Sequence, residues 1–357
     1  MNKTGFQNHD YYGISLALGS AFLFGISAPL AKLIVDDAGP WLLAGMLYLG
    51  AGIGLALFQF FRKSLGIINT EAPIRKKDIP WLALVVLSGG VVGPVLLMYG
   101  LAHTGASTAS LLLNVEGLAT MGIAWIVFKE YVDRRLLLGA FSILAGAVLL
   151  SWQDGGSFNF DTGAILVICA CFAWGIDNNL TRKLSSADPV NIVTIKGLAA
   201  GTVNIILALS QNAAISAPGV IAGAALIGFF CYGVSIVMFV LGLRFLGTAR
   251  CGAYYSTAPF IGAALSVLLF SETLSIQFMA AGVLMAVGVW LHVTEKHSHE
   301  HVHEAVTHEH AHVHDEHHQH EHGPDDPAGE PHSHAHAHEP LRHSHPHYPD
   351  IHHRHRH

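Results

Sequence analysis

Charge is what this sequence has least of. Asp, Glu, Lys and Arg make up 12% of its 357 residues, about half the share found in soluble domains, which excludes a conventional globular surface over most of the chain. Cysteine is scarce too. Cys169, Cys171, Cys231 and Cys251 all fall in apolar stretches and none forms a CxxC pair, which argues against a disulfide framework and a thiolate metal site. They read as small buried residues. No G-x-x-x-x-G-K-[ST] loop occurs, so chemistry driven by a bound nucleotide is not expected, and neither is a nucleic-acid partner. Nothing marks a catalytic constellation, and no enzyme is expected.

What is present is apolar residues, 52% of the chain, and histidine in one place. From about Tyr11 to Val293 the sequence is mostly apolar, broken by short polar stretches. From Thr294 onward aliphatic residues almost vanish, and 23 of the 26 histidines lie there. A packed core cannot be made from His, Glu, Pro and Ser, so this tail is expected to be disordered unless a ligand orders it. Its twelve carboxylates against Lys296, Arg342, Arg354 and Arg356 leave it strongly negative while the histidines are neutral. Unperturbed imidazole titrates near ~6.5, so modest acidification swings the tail from anionic to cationic.

A helix crosses a bilayer with roughly 20 apolar residues. Ten such stretches run near 13–35, 40–61, 80–101, 106–128, 135–152, 162–181, 190–210, 218–243, 249–270 and 274–292. Met1 to Asp10 is short and polar and the first apolar run is long enough to span, so no cleaved leader is expected. With a cytoplasmic N-terminus the inner loops receive Arg62, Lys63, Arg75, Lys76, Lys77, Lys129, Arg134, Arg135, Arg182, Lys183, Arg244 and Arg250. The outer loops receive none, and carry Asp36, Asp37, Asp154, Asp161 and Glu272. The positive-inside rule then places both termini, and the tail, in the cytoplasm of a multi-pass protein of the inner (cytoplasmic) membrane.

The apolar part repeats. FGISAPLAKLI, from Phe24, lies over WGIDNNLTRKL, from Trp174, matching Gly25 with Gly175 and Lys32 with Arg182. LLLNVEGLATMGIAWIVFKE, from Leu111, lies over CGAYYSTAPFIGAALSVLLFSE, from Cys251, with Gly117 over Pro259 and Glu130 over Glu272. Each half holds five spans, so the second enters the membrane inverted, an architecture in which two halves rock about a site near the midplane. On these motifs, and on the small residues Gly139 and Gly146 in the fifth span, the chain resembles the drug/metabolite transporter superfamily, EamA family, over about 13–292. The resemblance implies an all-α polytopic fold of ten transmembrane helices and movement, often outward, of small organic solutes. It divides the chain into a short N-terminus (1–12), a first EamA repeat (13–152), a second (162–293) and the tail (294–357). Many members carry Pro after the mid-helix Glu of the fourth span, where this chain has Gly117. The ninth span keeps Pro259, so a kink is expected there rather than in the fourth.

Ionisable groups at membrane depth are costly and therefore candidates for function. Glu116 sits mid-span beside Asn114 with no Lys or Arg near it on its helix, a setting that suits proton coupling or cation binding. Asp177 and Lys196 lie at similar depth on consecutive helices and are expected to pair. Asn178, Asn179, Trp174, Tyr254 and Tyr255 are candidates to line a polar cavity, against helix packing as the plain alternative. Lys32 is expected to reach for the outer surface. The expected substrate path is thus Glu116, Asn114, Asp177, Asn178, Lys196, Trp174 and Tyr254. Gly89/Gly93 and Gly197/Gly201 have the spacing of close helix approach.

Neutral imidazole suits Zn, Ni, Co and Cu. The tail supplies His297, His299, His301 and His303; His308, His310, His312 and His314; His332, His334, His336 and His338; His343, His345 and His347; and His352, His353, His355 and His357. None of these runs has the fixed spacing of a structural zinc site, so several exchangeable divalent-metal sites are expected, with no cofactor required. Three readings remain. The body exports an organic metabolite and the tail buffers or senses metal; or the body moves a divalent metal or its complex and the tail collects it; or the body anchors a metal-binding tail. The first is preferred. The third leaves Glu116, Asp177 and Lys196 unexplained, and the spans hold no His or Cys pair to pass a soft ion. The lipid bilayer and a small molecule are the expected partners, and a homodimer is left open.

Overall fold

The computed structural model describes residues 3–66, 73–128, 134–152, 161–181, 184, 187–294, 298–303, 306–312, 332–338 and 341–346. Lys129, Glu130, Asp154, Arg182 and Lys183 lie outside the described residues, as do His297, His314, His347, His352, His353, His355 and His357.

Among the described residues nine helical stretches are long and apolar enough to cross a bilayer: Tyr11–Lys32, Pro40–Ser64, Lys76–His103, Ala106–Val127, Arg134–Ser151, Thr162–Thr181, Pro189–Ser210, Pro218–Gly242 and Ile276–Val293. A shorter apolar helix, Ala258–Phe270, stands between the last two. Its missing length is found upstream. Cys251 Sγ donates to the Phe239 carbonyl at 3.5 Å, and the Tyr255 and Phe239 rings are 4.5 Å apart. Residues sixteen apart in a straight helix would be about 24 Å apart, so the chain turns back between them and the ninth span begins near Cys251. The chain therefore makes ten passes, numbered here in order as spans 1 to 10. Proline opens spans 2, 7 and 8 at their first turn, where its missing N–H costs nothing.

The packing is two-fold. Span 2 lies along span 7 and span 5 along span 10, while the span 1–span 8 pair is matched by span 6–span 3. Gly197 and Gly201 lie directly on the backbone of Gly52 and Leu49, with no room for a side chain. Gly25 presses on Ala258 of span 9, and its repeat partner Gly175 on Ala119 of span 4, so the matched glycines make matched contacts. Leu43, Leu47, Leu97, Met98, Leu101, Leu112 and Met285 fill the centre, all but inaccessible.

Three features differ from expectation. Spans 3 and 8 each contain a π-helical turn, Val86–Val92 and Gly228–Val234, set apart by the same separation as Gly117 and Pro259. Span 4 is broken although it lacks the proline: Ala106–Leu112 ends and Asn114–Phe128 begins anew. Asn114 makes the break tolerable, its Nδ2 donating to Leu111 O at 2.8 Å while Cys171 Sγ donates to Leu112 O at 3.6 Å. The ninth span turns at the matching place, Ser256–Thr257. The third difference is in the tail. Its described residues form strands β1 (Ser298–His303), β2 (Val306–His312), β3 (His332–His338) and β4 (Leu341–Pro346). β1 pairs with β4 and β2 with β3, antiparallel, with His308 opposite His336 and His310 opposite His334. Isolated two-stranded ribbons are marginal in water, so the absence of an apolar core, on which the expectation of disorder rested, still governs this segment.

Candidate functional site

Asp177 of span 6 and Lys196 of span 7 form a buried ion pair. Thr181 Oγ1 also donates to the Asp177 carboxylate, at 3.3 Å. Burying two charges is tolerable only when they are joined and their remaining hydrogen bonds are met. The room comes from span 3: a Cβ on Gly89 would strike the Asp177 carboxylate, and one on Gly90 would strike Ala200 and approach the Lys196 stem. The same Gly-Gly lies inside the π-turn, whose carbonyls are open to side-chain donors. Tyr48 Oη and Trp174 Nε1 both donate to Gly89 O, at 2.7 and 3.0 Å, and Asn204 Nδ2 donates to Gly90 O at 3.1 Å. Three other spans, 2, 6 and 7, thus converge on the two glycines of span 3.

Glu116 stands in the lower piece of span 4. Its Oε1 accepts from Asn178 Nδ2 at 3.0 Å. Asn178 Nδ2 also reaches Thr120 Oγ1 at 3.2 Å, and Asn179 Nδ2 donates to Thr120 O at 3.0 Å. The Glu116 carboxylate is close enough to interact electrostatically with Asp177, Lys196, Tyr48, Tyr232 and Tyr255, so five other spans surround it. Glu116 is nevertheless only half-buried, and Gly117 and Asn178 are exposed. The Phe24 ring lies 6.2 Å from that of Tyr232 and 5.5 Å from that of Tyr255. The Asp177–Lys196 pair is neutral in itself, and among the described residues no Lys or Arg forms an ion pair with Glu116.

Hydrogen bonds join the halves at both ends of the bundle; at the basic end Gln59 Nε2 donates to Asn191 Oδ1 at 2.9 Å and Arg135 to Thr294 Oγ1 at 2.8 Å. At the end carrying the acidic residues the halves are tied together. Glu272 accepts from Ala106 N at 3.0 Å and from Ser107 Oγ, Thr104 Oγ1 donates to Asp161, and Gln277 Nε2 donates to Trp152 O at 2.9 Å. Lys32 donates to Leu101 O instead of extending to the surface.

Of the residues expected on a substrate path, Asp177, Lys196 and Trp174 meet at Gly89, and Glu116 meets Asn178. Asn114 is not with them: it is buried and turned to Leu111 O and, at 3.9 Å, Met285 Sδ, serving the helix break. Tyr254 accepts from Thr257 Oγ1 through its carbonyl, and the neighbouring Tyr255 is the tyrosine whose ring faces Phe24. Sequence reasoning missed Tyr48, Thr120, Asn204 and Tyr232. A lone polar ring or amide within an otherwise apolar run was their only signal. Among the described residues no three His, Cys, Asp or Glu side chains gather as a metal site.

Ten passes in two inverted halves, with a buried ion pair and a carboxyl held at membrane depth, have the build of a membrane transport protein. Residues 11–152 and again 161–294 match the EamA-like transporter family, and the chain belongs to it. An uncharacterized transporter of Methanothermobacter thermautotrophicus is 30% identical over 297 residues, covering 78% of this chain and 85% of that protein. A probable amino-acid metabolite efflux pump of Salmonella typhimurium is 24% identical over 205 residues, 53% of this chain and 67% of that protein. A crystal structure shares the fold with a TM-score of 0.58 at 16% identity, covering 78% of this chain and 94% of that one.

Proposed function

We infer that the chain is a secondary transporter of the inner membrane that exports a small organic metabolite bearing an amine, of the amino-acid type. The observation that carries this reading is the Glu116 carboxyl, which forms no ion pair among the described residues and stands beside one that is already neutral, with the rings of Phe24, Tyr232 and Tyr255 clustered in the same bundle. A protonated amine, or a proton exchanged for it, neutralises that carboxylate. The aromatic rings offer a surface to an apolar side chain and, through their faces, to the cation. The Salmonella pump's description supports amino-acid metabolites as the solute class, and the twelve Lys and Arg in alternate loops support cytoplasmic termini.

The tail, in this reading, binds Zn, Ni, Co or Cu at the cytoplasmic face as a buffer or sensor, separate from the solute path. The test is transport into inverted vesicles of a panel of labelled amino acids and amines, with wild type, Glu116→Gln, and a chain stopped after Glu295. Accumulation of one amine, abolished by Glu116→Gln and retained without the tail, is expected. Accumulation of a divalent metal lost in Glu116→Gln would make metal the cargo and overturn the reading.

A further inference from the structure

Glu272 is not used by the site, yet, like Asp161, it joins the second half of the protein to the first at the acidic end. It follows Ser271, whose backbone is left-handed (φ 50°), a conformation that non-glycine residues adopt at a cost and that tends to persist only where the surroundings enforce it. That turn carries Glu272 back over the start of span 4, where its two oxygens divide between Ala106 N and Ser107 Oγ. Gly105 lies against the same carboxylate. Glu272 is half-buried, and among the described residues no Lys or Arg is paired with it. Ala106 and Ser107 are buried while Glu272 itself reaches solvent, so breaking the contact strands no buried charge.

What it holds is a separate piece. Ala106–Leu112 is divided from the Glu116-bearing Asn114–Phe128 by the break at Leu113, so the upper piece can tilt away while Glu116 keeps its bond to Asn178. We propose that Glu272 is the latch that keeps the acidic end of the solute path shut, and that its release from Ala106 and Ser107 opens that end. This rests on the transporter reading, since a latch has work to do only if the two ends open in turn.

The experiment measures distances by double electron–electron resonance between spin labels at His103→Cys and Leu274→Cys, both exposed. The full chain has its four native cysteines replaced and sits in lipid nanodiscs. With Glu272 intact, one short-distance population is expected. Glu272→Gln should add a longer-distance population, at least several-fold larger than any in the parent, and Ser107→Ala, which removes one donor from the opposite half, should shift it the same way to a smaller extent. If Glu272→Gln does not insert, Ser107→Ala supplies the same readout. Unchanged distributions in the variants overturn the latch. The readout needs no solute, so a wild-type chain that moves nothing in the vesicle assay overturns the transporter reading instead.

Discussion

Glu116 and Asp177 are both acidic and lie close together, yet exchanging them should have opposite consequences. Glu116→Gln keeps an oxygen to accept from Asn178, so the fold is expected to persist, with an unchanged thermal midpoint in detergent, while amine transport falls by at least about tenfold, the cost of one charge-assisted contact of about 1.5–3 kcal/mol. Lys196→Met leaves Asp177 as a buried, unpaired charge and should destabilise by about 3–5 kcal/mol. Adding Asp177→Asn should recover most of that loss, read as partial return of the unfolding midpoint. The residues of this pair were legible in the sequence, because charge is so rare in the spans that two opposite ones at similar depth identify each other. Tyr48 and Asn204 were not. Their importance comes from carbonyls freed in another helix, and no spacing along their own helices records that.

At the scale of elements, the glycines separate by what they touch. Gly89→Ala places a methyl against the Asp177 carboxylate and should cost about 1–3 kcal/mol through overpacking. Gly223→Ala, in span 8, meets nothing within 4 Å and should be neutral or raise stability by about 0.4–1 kcal/mol. Thermal unfolding of the two variants side by side checks the contrast. Here the sequence was legible in part. Gly197 and Gly201 announced close approach by their spacing, and the approach is there. The break in span 4 was not foreseen, because Gly117 in place of a proline argued for a kink at Pro259 of the ninth span instead; the break lies at Leu113, where Asn114 supplies the donor that lets a helix stop inside a bundle.

For the whole molecule, ten passes and the inverted repeat could be read directly, since length, apolarity and loop charge act through the bilayer and need no tertiary contact. The tail was legible in composition and not in pairing, because His-X-His alternation suits an extended strand as well as a disordered chain. A chain stopped after Glu295 is expected to keep the unfolding midpoint of the full protein and, on the proposal that the tail binds metal, to carry less Zn or Ni than the full chain after metal loading, counted per protein by mass spectrometry after gel filtration. Retention of metal by the shortened chain would place the binding groups in the body.

The two π-turns set a rule for insertions and deletions. A widened turn is a stored shift of phase: residues beyond it are rotated relative to those before it, by about 100° for each residue taken in excess of an α-helix. Removing one residue between Val86 and Val92 would turn Pro94 to His103 onto a different face, although every amino acid there is unchanged. The matching shift in span 8 sits at the repeat-related position. In this chain the reading frame of helix faces is therefore held by a counted residue, and a one-residue deletion in either turn should be far more damaging than the same deletion in a loop.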